Sequence, residues 1–475
     1  MKRIYIKFTL LIFLMGALVS CDDDLNQVPY DAFGTANAFN TAQDFENAIR
    51  GAYSALTLGG IYGSSDNGSM LSAPDVLADN VTLAQAGRRT KQYLHEWDYN
   101  PSLTMTTMYT NCYSLIYRAN QILAFAEDFT GENKDNIVAE AKALRALGHF
   151  NLVSFWGKIP TQSGDANSSL GVAYVTTADV EIEPARDNVA DVYNMIVQDL
   201  TDAALSINQD NPDGRMGRDA VNILLSRVYL YMGQWQAAAD AAEAVSASIA
   251  SRDNFVGIWD DSNRDGLVFF IPNETGVLGN QIGITWAQGT TNALLPEYVA
   301  SFELVNLYAA DDIRKEAYIF DASNGGSDFN AIRKLFGRAG QNNGQVDYKI
   351  LRASEAALNR AEAYFNLNQP ALALAALNEV RTKRYTTPPD GETGNALRDA
   401  IRLERRLEFA FEYQRFLDLK RWGLGVERLN TGDLADGSGT PSADLSLPAG
   451  DVKFQMPFSQ TSLDTNPNLV QNPGY

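Results

Sequence analysis

The chain has 475 residues, 38 of them Lys or Arg against 58 Asp or Glu, for a formal net charge of −20. Such a balance argues against nucleic acid and anionic membrane surfaces as partners, since both need a cationic face. Only two histidines (His95, His149) and two cysteines (Cys21, Cys112) are present, which rules out a three-His metal site. The 45% apolar content is enough for a large core.

At the amino end, Lys2, Arg3 and Lys7 precede an apolar run over 8–19, too short to span a bilayer as an ordinary helix. It ends in Leu18-Val19-Ser20-Cys21, small residues before a cysteine, which is the pattern of a bacterial lipoprotein signal. Cleavage before Cys21 would leave its thiol to carry diacylglycerol. The other reading is an ordinary secretory peptide with a chance cysteine. Two or three acyl chains, at about 0.8 kcal/mol per buried CH₂, give stable anchoring. Residues 1–20 are thus read as a signal and 21–40 as a lipidated tether, with the fold proper over 41–475.

Beyond residue 40 helical periodicity dominates. Phe45, Ala48, Ile49, Ala52, Tyr53 and Leu56 share one helix face, with Thr41 placed as its cap. Tyr109, Cys112, Tyr113, Ile116, Asn120 and Leu123 make a second stripe, in which Cys112 reads as a core thiol. Ile137, Ala141, Leu144, Gly148, Leu152 and Phe155 make a third, and Val189, Val192, Tyr193, Ile196 and Leu200 a fourth. Between them, residues 59–105 are rich in Gly, Asn, Asp and Ser, as are residues 250–345, and both stretches carry aromatics. Long irregular segments on a rigid scaffold are where binding sites tend to lie.

A repeat marks the second half. Ser226, Tyr229, Gly233, Ala238, Ala242 and Val245 recur at a constant offset as Ala361, Tyr364, Asn368, Ala373, Leu377 and Val380. Small residues let paired helices approach, and Gly233 and Asn368 suit the left-handed conformation that ends a first helix. The spacing is tetratricopeptide-like and predicts an all-α scaffold of about four helix pairs with long loop-rich insertions.

Chemistry-bearing motifs are scarce. The sequence contains no Gly-x-Ser-x-Gly, Walker loop, dinucleotide fingerprint or His-Glu-x-x-His. Asp261, Asn263 and Asp265, followed by Gly266, match the first half of a calcium loop, but its twelfth position is Pro272; overlapping Asx turns are the alternative. A carboxylate-only glycosidase can be neither picked nor rejected among so many acids. Glu404, Glu408 and Glu412 fall on one helix face among arginines. They read as an ion-pair lattice, solvated or partly buried, rather than as paired catalytic acids.

Several segments together resemble the SusD/RagB family of outer-membrane nutrient-binding lipoproteins. They are the helix with Tyr113, Ile116, Ala119, Asn120 and Leu123; the run 140–146 with Leu152, Gly157 and Pro160; the run 402–412 continuing to Arg415, Asp418, Leu419, Arg421, Trp422 and Gly423; and the ending 466–475. Asp22, Asp23 and Asp24 resemble the surface-export signal of Bacteroidetes lipoproteins. The resemblance implies a non-enzymatic protein, lipid-anchored and exposed at the cell surface. It implies binding of a glycan or oligosaccharide and delivery to a TonB-dependent, SusC-like outer-membrane transporter. Peptide is the alternative cargo, as in RagB-like members, and a surface glycoside hydrolase the remaining one. From starch-binding members it also implies a ligand site built from Trp97 and Asn100, with Asp79, Arg88, Trp286 and Tyr298. The bottom-up alternative is that Trp97 anchors a helix start in the core.

Overall fold

The structure, a computed structural model, describes residues 38–276, 279–290 and 293–475. The signal segment and Cys21 lie outside the described residues. The scaffold consists of α1 (Ala42–Ser54), α2 (Thr106–Ala124), α3 (Lys134–Trp156), α4 (Val189–Ser206), α5 (Arg218–Met232), α6 (Trp235–Glu243), α7 (Ala353–Asn366), α8 (Pro370–Arg381), α9 (Gly394–Glu408) and α10 (Arg415–Arg421). From α1 to α8 each packs on the next, with α7 following α6 across a long excursion of the chain, and α9 closes over α7 and α8. This is the tetratricopeptide-like stack that the repeat predicts.

Local chemistry sets these elements. Thr41 opens α1 in a capping box: its hydroxyl accepts from the Asp44 amide, and the Asp44 carboxylate accepts from the Thr41 amide at 2.8 Å. Phe45, Ile49, Ala52 and Tyr53 then bury one face. Helix α3 is buried nearly all round over 136–156, so it forms the centre of the stack. Gly148 permits its close approach to α2, because a Cβ there would stand 2.8 Å from Ile116 Cγ1. Cys112, on the facing side of α2, is buried and free.

Both helix ends predicted from the repeat are left-handed: Gly233 has φ +70° and Asn368 φ +57°. Gly233→Ala is expected to lower the unfolding free energy by about 1–2 kcal/mol. Gly233→Asn should cost less, since asparagine already holds this conformation in the second repeat. Urea denaturation of the two variants checks this, and equal midpoints for both would contradict it.

The stretches read as loops are partly ribbons, all antiparallel and two-stranded among the described residues. Strand β1 (Val81–Leu83) pairs with β5 (Tyr298–Ala300), β2 (Leu267–Ile271) with β8 (Tyr348–Arg352), and β3 (Ala287–Thr290) with β4 (Ala293–Pro296). Further along, β6 (Ile319–Asn324) pairs with β7 (Ser327–Ile332), and β9 (Val426–Glu427) with β10 (Ser446–Leu447). Strands this short carry too little alternation to be seen in sequence. The β1–β5 pair joins the two loop-rich stretches to each other.

The acid–arginine lattice of α9 is more deeply buried than the sequence suggests. Glu408, with no exposed surface, accepts from Arg384 at 2.9 Å and Arg352 at 2.7 Å, with Arg314 at 3.4 Å. Arg352 continues to Glu412 at 2.7 Å. Arg421 joins Glu362 at 2.7 Å and Asp418 at 2.8 Å. The network therefore ties α7, α8, α9 and α10 to the segment around residue 314.

Candidate functional site

The residues expected to line a saccharide site are not gathered into one. Trp97 has φ +52°, is 6% exposed, and donates its indole N–H to the Leu77 carbonyl at 3.0 Å. The Arg428 guanidinium lies over its ring, 4.2 Å from the centroid. Trp286 is 1% exposed and packs edge-on against Tyr298 and Phe411. Tyr298, on β5, is wholly buried beside His95. Stacking on a sugar needs an open ring face, and none of these three has one. They are core side chains instead, so Trp97 is buried as in the alternative reading, although it follows the short helix 92–95 rather than opening one.

The polar members are equally committed. Asp79 is gripped by Arg415 through two bonds of 2.7 Å, with Arg406 at 3.3 Å. Burial works against its charge, yet Arg406 and Arg415 hold the carboxyl well below the usual range. Arg88 donates to the buried Glu297 at 2.8 Å. Asn100 is exposed, and its side chain closes a turn by accepting from the Ser102 amide at 2.9 Å.

The candidate calcium string does not fit a calcium ion. Asp261 accepts from Lys349 at 2.6 Å and lies 3.1 Å from Arg338. Asn263 accepts from the Asp265 amide, and Asp265 accepts from Ser251 and Asn254. Only Asn263 closes an Asx turn here, while the Asp261 and Asp265 carboxylates are taken up by groups from other parts of the chain. Among the described residues no group of three or more His, Cys, Asp and Glu side chains is placed to hold a metal.

One acid near the expected saccharide residues stands out. Asp75 is fully buried; one carboxylate oxygen accepts from Asn80 at 2.9 Å and from the Phe411 amide at 3.0 Å, and the other has no partner among the described residues. Burial pushes its carboxyl up to about 6. A free Asp ionises near pH 3.9. The unfolded chain therefore loses this proton first, and the group costs stability as pH rises from about 4 to 6. Asp75→Asn is expected to raise stability at pH 7.4 by roughly 1–3 kcal/mol, with the difference vanishing below about pH 4. Urea denaturation across that range is the measurement; an Asn variant no more stable than the parent at pH 7.4 would refute it.

Exposed aromatic surface lies elsewhere. Of the six tryptophans, Trp97, Trp156, Trp259 and Trp286 are buried, while Trp235 and Trp422 are half-buried. Those two line the same cavity, about 200 Å³ in volume, together with Phe365, Asn366, Arg398 and Arg402. Its place follows from helix ends. Trp235 is the first residue of α6, two positions after the left-handed Gly233, and Trp422 follows the last residue of α10, where Gly423 with φ +64° turns the chain away. The Trp422 indole donates to Glu362 at 2.8 Å, fixing the ring's edge. Burial opposes the charge of Glu362, but Arg421 and Arg405 hold its carboxyl below the ordinary value, so it stays ionised and offers no proton for acid catalysis. The Arg402 guanidinium stacks over Trp422, 4.9 Å from the ring centroid.

Sequence reading missed this cavity because its rings belong to the helical repeat and to the arginine-rich helix end, both taken as structural. A signal was present: both tryptophans sit at helix termini, outside any apolar stripe. A second cavity, about 410 Å³ and mainly apolar, runs along α2 past Tyr109, Tyr113 and Tyr117 to Val180, Ile182 and Leu469. It is larger, but it presents no Arg or Lys and no tryptophan.

Comparison with known proteins agrees with this architecture. A family model described as the SusD family matches residues 329–475, and a second, described as starch-binding associating with outer membrane, matches residues 36–230. SusD-like protein P2 of Formosa agariphila is 26% identical, with all of each chain covered. SusD-like protein P25 of the same organism is 22% identical over 97% of each. Among solved structures, a putative sugar binding protein from Bacteroides vulgatus superposes with a TM-score of 0.80 at 24% identity, covering 92% of this chain and 99% of that one. A surface glycan-binding protein A from Bacteroides uniformis gives 0.72 at 19% identity, covering 91% and 99%. Two SusD-type family models, one in each half, thus match most of the chain, which is similar to SusD/RagB proteins over that length.

Proposed function

We propose that this protein is a glycan-binding lipoprotein of the outer membrane that captures oligosaccharides outside the cell and hands them to a TonB-dependent, SusC-like transporter. Cys21, placed as in a lipoprotein signal, is the anchor in this reading. The observation that carries the glycan assignment is the half-buried Trp235 indole, which lines one cavity with Trp422 and the planar side chains of Asn366, Arg398 and Arg402. Flat rings meet the C–H faces of a sugar and planar polar groups meet its hydroxyls. The names of the family models and of the solved relatives point the same way. Peptide, the alternative cargo, would draw on the apolar cavity along α2.

No reaction is part of this proposal. Glu404, Glu408 and Glu412 are buried and paired with arginines, so none of them faces the open, water-filled cleft that a glycosidase needs.

The test is calorimetry of the soluble chain against panels of glycans and peptides. A ring that buries about 100 Å² on a sugar contributes roughly 2.5 kcal/mol before ordering costs. Trp235→Ala should therefore weaken glycan binding at least about tenfold with an unchanged thermal melt. Binding of peptides alone, lost on Tyr117→Ala and kept on Trp235→Ala, would overturn the glycan reading. For the anchor and partner, Cys21→Ala should release the protein from membranes, and gentle extraction of the parent should recover a large barrel protein with it. A membrane-bound Cys21→Ala protein would refute the anchor.

A further inference from the structure

Arg402 differs from the arginines around it. Between residues 381 and 421, Arg381, Arg384, Arg405, Arg406, Arg415 and Arg421 each have a carboxylate within 3.3 Å. Arg398 has its neighbour Asp399 at 2.9 Å. Among the described residues Arg402 has neither a carboxylate nor a carbonyl on its guanidinium, and its one polar contact is the face of Trp422. It is half-buried, and burial together with the like charges of Arg398 and Arg421 lowers its pKa, with Glu362 alone among the cavity's residues working the other way. The Glu362 carboxylate is already taken up by Arg421 and the Trp422 indole. Three guanidiniums thus line a cavity that contains one engaged acid, in a chain whose net charge is −20.

A half-buried cation without an anion is an unsatisfied site, and its fork of N–H donors matches the paired oxygens of a carboxylate or sulfate. We propose that the cavity between α6, α7, α9 and α10 receives a negatively charged sugar residue, a uronate or a sulfate ester, with its anionic group on Arg402 and its pyranose ring against Trp235. This rests on the reading of the protein as a glycan binder and narrows the class of glycan. Arg402 already covers one side of Trp422, which leaves Trp235 as the ring open to the sugar. The Asn366 amide, which donates to the Glu362 carbonyl at 2.8 Å, keeps its oxygen for a sugar hydroxyl. The volume, about 200 Å³, suits one sugar residue of a longer chain.

The experiment titrates the soluble chain with two matched pairs, following binding by calorimetry. One is an oligogalacturonate and the same oligomer after carboxyl reduction; the other is a sulfated galactan oligosaccharide and its desulfated form. In at least one pair the anionic member should bind at least about tenfold tighter, and which pair it is separates uronate from sulfate. Arg402→Gln should abolish that preference while leaving the thermal melt unchanged, and Arg402→Lys should restore part of it. Equal affinity within both pairs, or a preference that survives Arg402→Gln, overturns the inference while the glycan reading stands. No binding of any of the four oligosaccharides, with peptides bound instead, overturns both.

Discussion

Replacing Glu408 by alanine should leave the protein unable to hold its native fold. Its carboxylate lies at the centre of three guanidiniums, those of Arg314, Arg352 and Arg384, each at most 3% exposed. Removing one partner from a buried pair costs about 3–5 kcal/mol, because the remaining charge stays buried and unpaired. Here three cations lose an acceptor at once, so the loss is expected at or above the top of that range, comparable to the whole stability of many domains. Arg352 and Arg314 would keep Glu412 and Asp312 respectively, whereas Arg384 would keep only backbone carbonyls. Glu408→Gln, which retains an acceptor oxygen, should be less damaging. Solubility and urea denaturation measure this; a soluble Glu408→Ala protein with the parent's midpoint would show that the network is not what holds these helices. The same group sets the acid limit. Burial opposes its charge, but Arg384 and Arg352 keep its carboxyl well below the ordinary value. Its contribution is therefore complete above about pH 4.3, the unfolded value, and is lost as pH falls below it.

The second large effect is expected from Arg186→Met. This side chain has no acid partner among the described residues. Its Nε donates to the Gly171 carbonyl at 2.7 Å, and its two terminal nitrogens reach the carbonyls of Leu170 at 2.7 Å, Val470 at 3.0 Å and Trp156 at 3.3 Å, and Asn472 Oδ1 at 2.7 Å. The guanidinium also lies over Phe458, 4.7 Å from the centroid. It is the fastener between the exit of α3 and the last ten residues. Methionine fills the stem volume but satisfies none of these oxygens, and unmade buried bonds cost about 1–3 kcal/mol each. With partial relaxation toward solvent at Val470, a loss of roughly 3–5 kcal/mol is expected. Deleting residues 466–475 removes two of the same bonds, so the combined variant should lose less than the two separate effects together. A chemical-denaturation cycle reads this directly, and full additivity would argue against the proposed coupling.

The helical part of the fold was legible because its causes are local. The stripe from Phe45 to Leu56, the cap at Thr41 and the left-handed positions Gly233 and Asn368 each encode their own geometry, and each is found as expected. Ribbons such as β1–β5 were not legible, since three residues pairing with three others more than two hundred positions away leave no periodicity. The site fared worse for a related reason. A tryptophan near Asn100 looks the same whether its ring faces a ligand or the Arg428 guanidinium, and only the long-range packing of residue 428 on 97 decides between them. Conversely, Trp422 looked structural because its neighbours Arg421 and Asp418 are, although the ring itself turns outward at the helix end. The lattice of α9 was recognised as ionic, but its depth depends on Arg314 and Arg352, which arrive from outside the helix.

The interlocking of the chain's two ends bears on how the molecule is made. Strand β1 needs β5, Asp79 needs Arg406 and Arg415, and the exit of α3 needs Asn472, which donates to the Trp156 carbonyl at 2.8 Å. Contacts so distant in sequence slow folding, because the intervening chain must be ordered before they form. An emerging polypeptide could stack α2 to α6 early, yet it would carry unpaired buried charges until its final residues arrived. The fold is therefore expected to lock only once the carboxyl-terminal partners of these contacts are available.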